Sequence, residues 1–179
     1  MANREGLQIQ SSADNLIGGA LPGARNVISG NTGVGVNINQ LTATGNRVQG
    51  NFIGTDVTGT VAVGNGFGGV RISGGPSNST IGGTSAGEGN VISGNTRHGV
   101  EIQGAAGNFI QGNFIGTDVT GTLDVGNSQR GVSIVAGAAD NTIGGTTAGA
   151  GNVISGNNQE SLRINNVGVF EAASITGFV

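Results

Sequence analysis

Cysteine, tryptophan, tyrosine and lysine are absent, and there are only two prolines (Pro22 and Pro76) and one histidine (His98). Without cysteine the sequence carries no signal of redox compartment. Charged residues make up 9% of the chain and the net charge is −3, so disorder driven by self-repulsion is disfavoured. All seven basic residues are arginines. They form no basic cluster and no pattern of arginine beside a stacking aromatic, which argues against nucleic-acid binding. Apolar runs are only a few residues long, too short for a membrane span. The first residues, Met1-Ala2-Asn3-Arg4-Glu5, are polar and do not read as a secretory leader. The repeating pattern begins at once, and the chain is expected to be a single domain, 1–179, cut from a longer repeat protein.

What is abundant is glycine, 38 residues of 179. It lacks the strict three-residue period of collagen. Between the glycines and asparagines, valine and isoleucine recur at regular intervals, a composition that favours short strands and many tight turns.

Self-similarity carries the fold assignment. Residues 81–95 read IGGTSAGEGNVISGN and 143–157 read IGGTTAGAGNVISGN, with a third copy at 17–31, IGGALPGARNVISGN. A second block, QGNFIGTDVTGT, stands at 49–60 and again unchanged at 111–122, 62 residues later. Each unit divides in two at a G-V-x-I motif, found at 35–38, 69–72, 99–102 and 131–134, with Gly6-Leu7-Gln8-Ile9 before the series and Ser161-Leu162-Arg163-Ile164 after it. Successive motifs are 29, 34, 30, 32 and 30 residues apart, and each step holds three short β-like segments. Such segments have no hairpin partner nearby. Their partners lie about 30 residues away, so like must stack on like, giving three parallel sheets around one core. The expected fold is all-β: a right-handed parallel β-helix of about six coils, rising roughly 29 Å at ~4.8 Å per layer.

Alternation along each strand places four columns inside: Leu7/Val36/Val70/Val100/Val132/Leu162, Ile9/Ile38/Ile72/Ile102/Ile134/Ile164, Ile17/Val48/Ile81/Ile110/Ile143 and Ile28/Ile53/Ile92/Ile115/Ile154. Two asparagine columns are expected to act as structural ladders: Asn26/Asn51/Asn90/Asn113/Asn152, and Asn15/Asn46/Asn108/Asn141 interrupted by Ser79. A stacked amide can donate and accept along the column. Phe52 and Phe114 alternate with Val27, Val91 and Val153 in an outward column, which is a liability unless covered. The loops 55–65 and 117–127 are expected to fold back over them. At the C-terminus, Phe170 and Phe178 are candidates to shield the last coil. Bare coil ends predict self-association.

The repeats resemble the right-handed parallel β-helix repeat family, the pectin-lyase-like superfamily, and in particular repeat regions of large secreted or surface-attached bacterial proteins. The resemblance covers nearly the whole chain, weakening after Asn165. It implies an extracellular or cell-surface location. Membership implies the fold and leaves the activity open, since the superfamily includes pectate lyases and polygalacturonases as well as proteins of no assigned activity. Polygalacturonase-like motifs are incomplete here: Gly54-Thr55-Asp56, Arg97-His98-Gly99 and Arg71-Ile72-Ser73 each lack a member, so no family catalytic residue carries over.

Candidate chemistry is therefore sparse. On the outward face of the G-V-x-I sheet, Glu101 stands one layer from Arg71, with His98 close in sequence. These three are the candidate catalytic residues, although a glycosidase normally requires two carboxylates, and a cross-rung ion pair and a turn residue are the favoured explanations of them. Asp56 and Asp118, in identical Asp-Val-Thr-Gly-Thr loops two coils (~10 Å) apart, are the candidate Ca²⁺ ligands. One carboxylate per loop falls short of the six to eight oxygens calcium takes, and Asx-turns account for both. No cofactor is expected. The leading reading is a structural spacer or adhesion-type module without catalysis. The alternative is a carbohydrate-active or glycan-binding β-helix, of the lyase or hydrolase type, using the Arg71/Glu101 face.

Overall fold

The computed structural model describes residues 2–165 and 174–176. The chain winds as a parallel β-solenoid whose three sheets run along its axis. The first sheet stacks Leu7–Gln10, Val34–Asn39, Gly68–Ser73, Val100–Gln103, Val132–Val135 and Leu162–Asn165. The second stacks Leu16–Gly18, Arg47–Gln49, Thr80–Gly82, Phe109–Gln111, Thr142–Gly144 and Ser174–Thr176. The third stacks Val27–Ile28, Phe52–Ile53, Val91–Ile92, Phe114–Ile115 and Val153–Ile154. The described residues thus close about five turns where the motif count suggested six, because the sixth G-V-x-I-type strand opens a turn whose third strand is not among them. One short 3₁₀ turn, Pro22–Ala24, is the only helical element described.

Register follows the repeat. Val36 lies between Leu7 and Val70, Val100 between Val70 and Val132, and Ile38, Ile72, Ile102 and Ile134 stack beside them. Ile38, Ile53, Ile72, Ile81, Ile92, Ile102, Ile110 and Ile115 are fully buried. A slip of one residue would turn each isoleucine to water, so the alternation fixes the pairing. The corners between sheets are turned at positive φ, by glycines such as Gly74 and Gly104 and, at the equivalent place in other coils, by Ser11, Gln40 and Ala136. Gly82 (φ +87°) ends its strand so tightly that a Cβ would overlap the Gln111 carbonyl oxygen one coil on.

Both expected ladders are present. In each coil-to-coil step the backbone N–H and Nδ2 of one asparagine donate to Oδ1 of the next: Asn51 to Asn90 at 2.9 and 3.2 Å, Asn90 to Asn113 at 3.1 and 2.9 Å, and Asn113 to Asn152 at 3.0 Å for both. The remaining Nδ2 hydrogen goes to a carbonyl of the previous coil, as from Asn90 to Val48 at 2.8 Å. The second column breaks at Ser79, whose buried Oγ has no partner. A third ladder, Asn31/Asn65/Asn95/Asn127/Asn157, runs the same way. Sequence reading missed it because Asn65 and Asn127 arrive after the long loops and break the even spacing. The shared Gly-Asn dipeptide at each of the five positions is the signal that would have found it.

The loops do fold back. Thr55 bridges Ala62 and Thr117 bridges Asp124, both antiparallel, making two hairpin arms that lie over the third sheet. Phe52 is only 3% exposed. The Arg25 guanidinium sits 4.1 Å from its ring centroid, within the range of a cation–π contact. The suggestion that Phe170 and Phe178 shield the last coil falls outside the described residues.

Candidate functional site

The polar face of the first sheet is built by the outward positions of its strands. Pairing of Gly68–Ser73 with Val100–Gln103 puts Arg71 directly beside Glu101. Arg71 Nε lies 3.3 Å from Glu101 Oε2, with both side chains partly exposed. This is a contact of charge rather than an aligned hydrogen bond, since Nε has no hydrogen-bond partner. A second nitrogen, Nη2, donates to Gln103 Oε1. Arg71 is thereby held by two side chains of the next coil. Along the same column Ser133 is buried between Glu101 and Arg163. Asn37 is also buried, and its Nδ2 donates to both carboxylate oxygens of Glu5 at 3.2 and 3.3 Å.

His98 occupies the turn that leads into Val100–Gln103 and is 6% exposed. Its Nδ1 accepts the Arg130 N–H at 3.4 Å, and its carbonyl accepts the Gly69 N–H at 3.0 Å. Burial holds its pKa below the ordinary imidazole value, with Glu101 opposing that shift and Arg130 and Arg97 adding to it. The result is a neutral ring accepting from backbone, beside the Arg71–Glu101 pair but not hydrogen-bonded to it. In this geometry the ring positions a turn.

Two features of this face were not read from the sequence. Arg97 lies 4.4 Å from the Phe67 ring centroid, and Arg130 Nε meets Glu160 Oε2 at 2.8 Å. The Glu160 carboxyl is held below its ordinary range, first by its own backbone N–H and then by Arg130. Phe67 is 45% exposed. With Arg4, Glu5 and Arg71 it borders a shallow concavity of about 400 Å³. The available signal was the column two residues before the first position of each motif: Arg4, Gly33, Phe67, Arg97, Gln129 and Gln159. Its residues change from coil to coil.

Asp56 and Asp118 sit in the two arms. Asp56 Oδ1 accepts the N–H groups of Thr60 and Val61 at 3.2 and 3.1 Å, and the Thr58 hydroxyl donates to the carboxylate at 2.8 Å. Asp118 repeats this with Thr122, Leu123 and Thr120. The Thr58 hydroxyl, then the N–H groups of Val61 and Thr60, hold Asp56 below the usual carboxylate range against the opposing effect of burial. At Asp118 burial is the largest single influence and pushes upward, but Leu123, Thr120 and Thr122 together outweigh it. Each carboxylate is therefore the organising acceptor of its own turn. The arms meet through backbone, Val119 N–H to Gly59 carbonyl at 3.1 Å. Among the described residues no three His, Cys, Asp or Glu side chains gather as a metal site, and no helix is long and apolar enough to cross a membrane.

No family model, curated protein or solved structure matches the chain.

Proposed function

We propose that this chain is a structural module, a stiff spacer or adhesion-type segment of a secreted or surface-exposed bacterial protein, of the kind its resemblance to pectin-lyase-like repeat regions implies. The observation that carries the reading is continuity. The same isoleucine columns, and the asparagine hydrogen bonds of the column from Asn26 to Asn152, pass from coil to coil without a change of chemistry, so length is set by the number of coils. The charged groups of the candidate catalytic set are engaged with one another or with backbone.

A second reading is favoured by one place, the exposed Phe67 ring with Arg4, Arg71 and Arg97 around it. An aromatic face beside arginines suits a sugar carrying carboxylates, and Glu101 would then serve as the acid of a lyase- or hydrolase-type site. Titration calorimetry with polyuronate and neutral oligosaccharides separates the two. The spacer reading expects no saturable heat from either. Saturable binding or turnover that disappears in Glu101→Ala replaces it with the glycan reading.

A further inference from the structure

The block at 49–60 recurs unchanged at 111–122, so Phe52 and Phe114 are carried by identical segments. Gly59 lies against the first ring and its counterpart Gly121 against the second. The rings nevertheless differ in exposure. Phe52 is buried and Phe114 is only partly so. The difference comes from the loop one coil back. Where the first repeat has Arg25, the second has Gly89. The Arg25 guanidinium covers the Phe52 ring at 4.1 Å, and its Nε donates to the Gly50 carbonyl at 3.1 Å. Gly89 supplies no side chain to Phe114. It is pressed against the Gly112 carbonyl, the counterpart of Gly50, where a Cβ would overlap the oxygen. That carbonyl accepts no hydrogen bond among the described residues.

The space beside Phe114 belongs to a concavity of about 450 Å³ on the third sheet, a size usual for a ligand site. Phe114, Val91 and Val119 give it an apolar lining, and the glycine-rich loop 83–89 forms one wall. That loop carries Glu88 where the first repeat has Ala24. Glu88 Oε2 accepts the Ser85 N–H at 3.0 Å, which holds a negative charge on the wall. Arg25 borders the concavity from two coils away, roughly 10 Å along the stack, about one screening length at ordinary salt.

We propose that this concavity receives an arginine side chain of a peptide partner, held as the chain's own Arg25 is held over Phe52. The guanidinium lies on the Phe114 ring, one of its N–H groups donates to the Gly112 carbonyl, and Glu88 supplies the opposite charge. A guanidinium suits this place better than an ammonium, because it is planar, stacks on aromatic faces and is more weakly hydrated. The template is an arginine carried on a main chain, which assigns the partner as a peptide rather than a free cation. The inference goes beyond the spacer reading and does not rest on it. It also uses no residue of the Phe67 face, so the two sites stand or fall separately.

Backbone-amide NMR of the full chain, titrated with N-acetyl-arginine amide, tests it. The expected result is a saturable set of shifts centred on Gly89, Gly112 and Phe114. The citrulline counterpart, which keeps the shape and loses the charge, is expected to bind at least about tenfold more weakly, and agmatine, which lacks the peptide groups, more weakly than the arginine amide. Two variants address the seat. Phe114→Leu is expected to lose the shifts while the rest of the spectrum is kept, since valine stands at the paired positions of both neighbouring coils, Val91 and Val153. Arg25→Ala uncovers Phe52 and frees the Gly50 carbonyl, and is expected to add a second set of shifts at Gly50 and Phe52 and to double the stoichiometry. The proposal is overturned by a wild-type chain without saturable shifts, by an equal response to citrulline, by agmatine binding more tightly than the arginine amide, by binding that survives Phe114→Leu, or by binding seen only in Arg25→Ala.

Discussion

At Asn90 the amide accepts from the backbone and side chain of Asn51, and donates to Val48 and to Asn113. Alanine there would leave several buried groups without partners, each worth about 1–3 kcal/mol, so Asn90→Ala is expected to lower unfolding free energy by roughly 3 kcal/mol or more in urea titrations. Ser79 is the natural converse. It stands in an asparagine column, its backbone N–H reaches Asn108 Oδ1 at 3.0 Å, and its own Oγ is buried and unpaired. Ser79→Asn restores an amide opposite Asn46 and is expected to stabilise by about 1 kcal/mol. His98 gives the pH dependence. Its folded pKa lies below the ordinary value of 6.5 because the ring is buried, so the unfolded chain takes up the proton more readily. The stability it contributes is complete above that ordinary value and is lost as pH falls through the folded pKa. The urea midpoint is expected to drop between pH 7.5 and pH 5, and His98→Gln is expected to flatten that interval while keeping the later loss as the depressed carboxylates of Asp56 and Asp118 protonate.

The hairpin arms are the elements that depart from a bare solenoid, and their fit rests on a glycine. Gly59 adopts φ +72°, and a Cβ placed on it would lie 2.8 Å from Phe52 Cζ and 3.1 Å from Val119 Cβ. Gly59→Ala is therefore expected to cost about 1–2 kcal/mol through strain and displacement. Hydrogen–deuterium exchange should speed up across residues 55–62 while the third-sheet strand Phe52–Ile53 stays protected; equal loss of protection in both would show that the arm is integral to the sheet. The arms also show how far the sequence was legible. That they cover Phe52 could be read from the apolar residues of the loops, because an exposed phenylalanine column has to be buried by something nearby. That Val119 meets Gly59 could not, since the contact depends on how two loops lean. The inward columns were legible because a period of two leaves one choice of face. The Phe67–Arg97 contact was not, because it joins two residues in a column that does not repeat.

For the molecule as a whole, stacked coils touch only their neighbours, and stability should then be a sum over coils and joints. The internal repeat offers a clean way to change that sum. Ile110 pairs with Ile81 on one side and with Ile143 on the other, and residues 81 and 143 begin equivalent blocks. Removing residues 81–142 joins Thr80 to Ile143 within equivalent strands, Thr80–Gly82 and Thr142–Gly144, and deletes two whole coils. Asn51 would then face Asn152 as it now faces Asn90, Ile53 would face Ile154, and both surviving ladders would stay continuous. The shortened chain is expected to fold, with the same β-type spectrum and a urea m-value reduced by about two-fifths, in proportion to the surface no longer buried. The cut also removes Glu101, His98, Asp118 and the second arm while leaving Arg71 and Asp56, so folding without them would show that none of the candidate site residues in that unit holds the solenoid together. A chain that fails to fold, while Ile92→Ala in the full chain costs only the 2–5 kcal/mol or so of one emptied core position, would mean that stability is not distributed coil by coil but concentrated in the deleted unit.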